Sequence, residues 1–183
     1  MERRAFLKTA AVLPAAGLDI FALAQAAGTK PATAEAHVVP EGQDRFGEAH
    51  SLGFSTILFK TTPQETSGGL LVVEHKGLGK GGPPVHFHLH QDEWFYVMEG
   101  EVLFEVAGVR KTLRAGESVL GPRMVPHGFA GVGETPARML IAFTPAGKME
   151  EFFRTTAVPN GPKMDAPLFA RFDMQYVGPP LVG

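Results

Sequence analysis

From Gly53 to Pro145 the chain is a series of short apolar runs cut by turn signals, with no helical period joining them. "FSTILFK" (54–60) and "GLLVVEHK" (69–76) are rich in β-formers and are separated by "TTPQETSGG". "GLGKGGPP" (77–84) has the composition of a loop. "WFYVMEGEVLFEVAG" (94–108) divides into two strands at Glu99-Gly100. In the second, Val102, Phe104 and Val106 alternate with Glu101, Leu103 and Glu105, the period of a half-buried strand. "VRKTLRAG", "ESVLGP", "HGFAGV" and "RMLIAFTP" continue the series. Strands this short bury their apolar faces against one another, so the expected fold class is all-β, a sandwich or small barrel. The 22 glycines and 15 prolines of the 183-residue chain supply the turns that such a fold consumes.

The two ends differ from this middle. "GKMEEFFRTTA" (147–157) places Met149, Phe152 and Phe153 at helical spacing, which predicts a helix packed on the barrel. "APLFARFDMQYVGPP" (166–180) predicts a short helix followed by a strand-like tail. The expected organisation is a barrel over 51–145, a C-terminal helix and tail over 146–183, and a linker or N-terminal arm over 27–50, lying along the barrel as an edge. Residues 1–26 read as an export signal. Arg3-Arg4 followed by Phe6-Leu7-Lys8 is a twin-arginine pattern, an Ala-rich run follows, and Ala24-Gln25-Ala26 offers small residues for cleavage. Pro14 and Asp19 interrupt that run, which is too short and polar to span a bilayer. The expected location is periplasmic or extracellular, with no stable membrane association after cleavage.

A net charge of −2 argues against nucleic acid or an anionic membrane as the main partner. The chain has no cysteine. Thiolate catalysis and thiolate metal sites are therefore excluded, and any metal must be held by nitrogen and oxygen.

The residues that could hold one cluster in "PPVHFHLHQDEWFYVMEG" (83–100). In a strand, positions two apart share a face, so His86, His88 and His90 can all point one way. They cannot all converge on one ion, because His86 and His90 lie ~13 Å apart in a straight strand, whereas neighbours two apart lie at ~6.6 Å. Geometry thus offers a pair, either 86/88 or 88/90, and one spare. Glu93 has the wrong parity to join them on a continuous strand, so a turn or bulge at "LHQD" must re-aim it. If Glu93 faces in, so do Phe95 and Val97, and Trp94 and Tyr96 form an aromatic pair on the other surface. Among the remaining histidines His127 is best placed, following the turn-strand-turn unit "GESVLGPRMVP". His37, His50 and His75 are set aside as ligands. Phe95, Phe104, Phe129 and Met139 are either pocket walls or core filling.

The run resembles the first conserved motif of the cupins. His86-x-His88, four residues, Glu93, six residues and Gly100 match it, with Gly81 one residue nearer to His86 than the pattern asks. Gly116, Pro122 and His127 match the second motif, which the chain leaves at Met124, in place of a glycine, and at Gly131, in place of an asparagine. "GGPPVHFHLHQDEWFYVMEGEV", with "TPAG" at 144–147, "FF" at 152–153 and "GPP" at 178–180, is similar to the small quercetin-dioxygenase-like cupins. The resemblance implies a double-stranded β-helix, the cupin jelly roll. It implies His86, His88, Glu93 and His127 as ligands to one divalent transition metal (Fe, Mn, Ni, Cu, Co or Zn), and His90 as the spare. A dioxygenase-type oxidoreductase on a small phenolic or enolic substrate is the implied activity, with Glu93 also the candidate catalytic base. The alternatives are a non-enzymatic metal or small-ligand binding module and a metal-dependent isomerase or lyase of sugar-like substrates. A homodimer is the assembly that the resemblance allows.

Overall fold

The computed structural model describes residues 36–182. The expected export signal and the start of the arm, residues 1–35, lie outside the described residues. Alternation along the sequence becomes two antiparallel sheets. The first runs, in spatial order, β1 (His50–Ser51), β2 (Thr56–Thr61), β3 (Leu71–Leu78), β10 (Ala137–Thr144), β5 (Asp92–Glu99) and β8 (Ser118–Gly121). The second runs β11 (Met174–Pro180), β4 (Pro84–His88), β9 (His127–Gly131), β6 (Glu101–Val106) and β7 (Val109–Arg114). This is the all-β class that the strand series predicts and the jelly roll that the resemblance implies.

The core lies between the two inner faces. In β5, Glu93, Phe95 and Val97 are buried while Trp94 is exposed, and Trp94 stacks on Tyr96 outside with ring centroids 5.8 Å apart. Phe95 meets Phe104 of β6 edge to face at 5.0 Å and Phe129 of β9 at 5.8 Å. Burying such rings, each removing a large apolar area from water, is the main favourable contribution to this fold. The turn between β6 and β7 places Ala107 and Gly108 at φ 51° and 78°, the left-handed pair that matches the twist of a two-residue hairpin.

Two ends of the barrel depart from the simple division by residue number. The arm is anchored: the buried Asp44 carboxylate accepts hydrogen bonds from the Phe46 and Phe59 amides at 2.7 and 2.6 Å, which ties it to β2, and β1 then forms the sheet edge. The barrel does not end at 145. The tail expected to pack on it supplies a strand of the second sheet, β11, with Met174 opposite His88 and Tyr176 opposite His86. Without β11, β4 would be an edge strand with unpaired backbone groups. Two helices bridge β10 to β11. α1 (Met149–Thr156) buries Met149, Phe152 and Phe153 on one face, as its spacing predicts. α2 (Ala166–Arg171) is capped by the Asp165 carboxylate, which accepts from the Leu168 amide, and buries Leu168 and Phe169. Among the described residues no helix is long and apolar enough to cross a membrane.

Candidate metal centre

β4 presents His86 and His88 on its inner face, and both are buried, while Phe87 between them points the other way. β4 ends at His88. Residues 89–91 turn the chain into β5, in the other sheet, and this corner brings Glu93 inward despite its parity. The fourth residue arrives by strand pairing. β9 lies beside β4 with His127 directly opposite His86. One ligand atom from each of His86, His88, Glu93 and His127 lies within 4.8 Å of all the others, and all four residues are buried. His90 is exposed in the turn and is not in this group. The choice left open by strand geometry therefore falls on 86/88.

Glu93 Oε2 is the hub. It accepts hydrogen bonds from His88 Nε2 at 3.0 Å and from His127 Nε2 at 2.8 Å. Two ligand rings are held from behind by the same local device. His86 Nδ1 donates to the Pro84 carbonyl at 2.8 Å, and His127 Nδ1 donates to the Val125 carbonyl at 2.9 Å. Such outer bonds fix ring orientation and leave Nε2 to face the site. The rings of His88 and His127 lie nearly parallel, 5.6 Å apart.

Charges follow from these contacts. Burial opposes ionisation of Glu93, but hydrogen bonds and positive charge from His127 and His88 outweigh it and hold the carboxyl well below the usual range. Burial also opposes charge on His127, and the Glu93 contact overcomes it, so its pKa rises. His86 has no such contact, and burial, with the charges of His127 and His88, pushes it down to about 3. The site thus keeps a carboxylate and at least one neutral imidazole ready at neutral pH. Three imidazoles and one carboxylate, without thiolate, suit a borderline divalent transition ion.

A glycine makes room for the fourth residue of the cluster. A Cβ on Gly121 of β8 would come within 2.9 Å of His127 Nδ1 and 3.0 Å of its Cγ. The two departures from the second motif are both accommodated. Met124 takes φ 62°, the left-handed conformation that a glycine would adopt more readily, and the turn still closes through the Met124 amide to the His88 carbonyl at 2.8 Å. At Gly131 any side chain would collide with the Gly79 carbonyl, because the 79–81 loop crosses β9 there.

Three of the four residues, His86, His88 and Glu93, line a narrow cavity of about 30 Å3. Phe129, Phe143, Phe152, Phe153 and Phe169 supply aromatic walls, together with Met149, Met164 and Met174. Of the four apolar residues proposed from sequence as walls or core, Phe129 lines the cavity; Phe95, Phe104 and Met139 are buried in the core without lining it. His75, set aside as a ligand, indeed stays out of the metal group, yet it lines the cavity. The sequence offers little signal for this, because Leu70, Leu71, Val72 and Val73 are all apolar and no alternation marks His75 as inward.

A model of the cupin domain matches residues 76–143. Protein SchB of Streptomyces halstedii is 31% identical over 111 residues, covering 58% of this chain and 72% of SchB. The chain belongs to the cupin superfamily. A solved RmlC-like cupin from Shewanella frigidimarina is 28% identical to this cupin, covering 63% of it and 96% of its own chain with a TM-score of 0.50. An oxalate oxidase of Triticum aestivum is 29% identical over 99 residues, and this cupin spans 44% of that protein's length.

Proposed function

We propose that this cupin is a mononuclear metal-dependent oxygenase of the quercetin-dioxygenase-like kind, acting on a small phenolic or enolic substrate. The observation that carries the proposal is the buried tetrad of His86, His88, Glu93 and His127 facing an apolar, Phe-lined cavity. A divalent ion held there would act as a Lewis acid toward a substrate oxygen and as the redox partner for dioxygen. The aromatic walls favour a flat ring or enol and exclude bulk water. Glu93, kept ionised by its neighbours, is the residue we propose to take a substrate proton at its carboxylate. That an oxidase is among the relatives supports an oxidative reaction.

The test is twofold. Protein recovered from its own compartment should carry close to one equivalent of a transition metal by mass spectrometry. That protein should then consume dioxygen with a panel of phenols, enols and flavonols. The tightness of the cavity favours one second reading, a metal-binding module without turnover. Stoichiometric metal with no dioxygen uptake on any of the panel selects it. Export stays a proposal resting on Arg3-Arg4 and the Ala-rich run; a C-terminally tagged protein found uncleaved in the cytosol removes it.

A further inference from the structure

The wall of the same cavity holds a buried polar group that the proposed reaction leaves unused. His75 projects inward from β3, in register with Leu71 and Val73, and is 2% exposed. Its Nδ1 lies 2.9 Å from the hydroxyl of the buried Ser55. Among the described residues its Nε2 is buried and has no hydrogen-bond partner. The rings around it are Phe54, Phe129 and Phe153, none of which offers a strong acceptor.

The tautomer follows from the hydroxyl. Among the described residues Ser55 Oγ has no side-chain or backbone partner except His75. A buried hydroxyl is best satisfied when it donates its proton, and Nδ1 is the acceptor within reach. The ring's own proton then sits on Nε2. Burial pushes the pKa of His75 down to about 4, so the ring is neutral at physiological pH and Nε2 presents one N–H. The Glu93 charge acts on His75 across the interior, in the opposite direction to burial. One cavity wall therefore carries the carboxylate and imidazoles of the tetrad and, apart from them, a single fixed donor.

We propose that His75, oriented by Ser55, is a second anchor of this cavity, donating from Nε2 to an acceptor oxygen at the far end of a ligand whose near end meets the tetrad. An unpaired buried donor is costly, and a ligand oxygen removes that cost. The implied ligand is flat and mostly apolar, with paired oxygens at one end and a carbonyl- or nitro-type acceptor at the other. The cavity is narrow as it stands, and Met149, Met164 and Met174 among its walls are unbranched side chains able to repack around a ring. The anchor deepens the metal-centre reading and rests on it.

The experiment compares catechol with 4-nitrocatechol, which adds one acceptor remote from the paired hydroxyls. Binding to protein carrying its as-isolated metal is followed by visible absorption for 4-nitrocatechol and by calorimetry for both. Wild type is set against H75F and H75Q, the latter keeping an amide N–H near the position of Nε2. Metal content and Tm are measured first on every protein. The expected result is unchanged metal, an affinity for 4-nitrocatechol lowered about tenfold in H75F, as one net hydrogen bond supplies, and catechol affinity unaffected. H75Q should recover part of the loss, which a purely structural role would not produce, and it also serves if H75F does not fold. Nitrogen-15 shifts of the His75 ring should show the proton on Nε2. Equal losses for both catechols, no loss for either, or a proton on Nδ1 would overturn the anchor. So would failure of both catechols to bind metal-loaded wild type, with the metal reading intact. Absence of metal from wild type instead sinks the metal reading, and the anchor falls with it.

Discussion

His127 and His75 face the same interior, both nearly inaccessible to water, and their pKa values move in opposite directions. Burial alone would push both down. At His127 the Glu93 carboxylate, 2.8 Å away, reverses the effect. At His75 the close polar partner is the Ser55 hydroxyl, which stabilises no charge, and the pKa falls to about 4. Depth of burial does not decide whether a histidine in this core can carry charge. The partner does, and the partner is set by which strands the fold places side by side.

The most severe way to break this contrast is to remove the charged end. His127→Ala should abolish stoichiometric metal, as should His88→Ala, while His90→Ala should keep most of it. Because an ion that binds only the folded state stabilises it by about 2.7 kcal/mol at a hundredfold excess over Kd, the first two variants should also lose the rise in Tm that added metal gives. Retention of one equivalent of metal in His127→Ala would remove that residue from the site.

The neutral end makes a pH prediction. The folded-state pKa of His75 is below its unfolded value of 6.5, so the unfolded chain binds the proton more readily. Its contribution is therefore undiminished above pH 6.5 and is lost as pH falls from there to about 4. The full loss is about 3 kcal/mol for a shift of this size. Denaturant unfolding of wild type and H75F across that range should give a difference that shrinks with acid, in the variant's favour. A pH-independent difference would mean that His75 titrates alike in the folded and unfolded chain, so that burial does not depress its pKa.

Gly121→Ala sharpens the contrast from the side of packing. The added methyl meets the His127 ring, and overpacking of this kind costs about 1–3 kcal/mol. Metal affinity should fall with stability, since the ring must move to admit the methyl. Met124→Gly is the smallest change and has the opposite sign. Relief of a left-handed methionine should raise unfolding free energy by about 1 kcal/mol, with metal content unchanged.

Strand periodicity made much of this legible beforehand. The alternation in 101–106 assigned the buried face of that strand, and in 92–99 it grouped Glu93 with Phe95 and Val97 against Trp94 and Tyr96, leaving open which group faces in. The helix at 149–156 followed from the spacing of Met149, Phe152 and Phe153. The barrel boundary was less legible, because β11 is rich in Gly and Pro and carries no alternation strong enough to mark it as a sheet strand. His75 was set aside as a ligand because it ends a strand that the glycine loop at 77–84 separates from the histidine run, and that separation hid its place in the cavity wall.

Residue order alone determined the all-β class, the exclusion of thiolate chemistry, and the limit of two convergent histidines from one strand. Those depend on local geometry, on the two-residue repeat of a strand and on which side chains exist. Which pair, which partner and which wall were decided by tertiary structure. The corner at 89–91 turned Glu93 inward, antiparallel pairing of β4 with β9 set His127 opposite His86, and the missing side chain at Gly121 left space for its ring. Each of these joins residues from different strands, and contact between strands is a property of their register, which no single stretch of sequence carries.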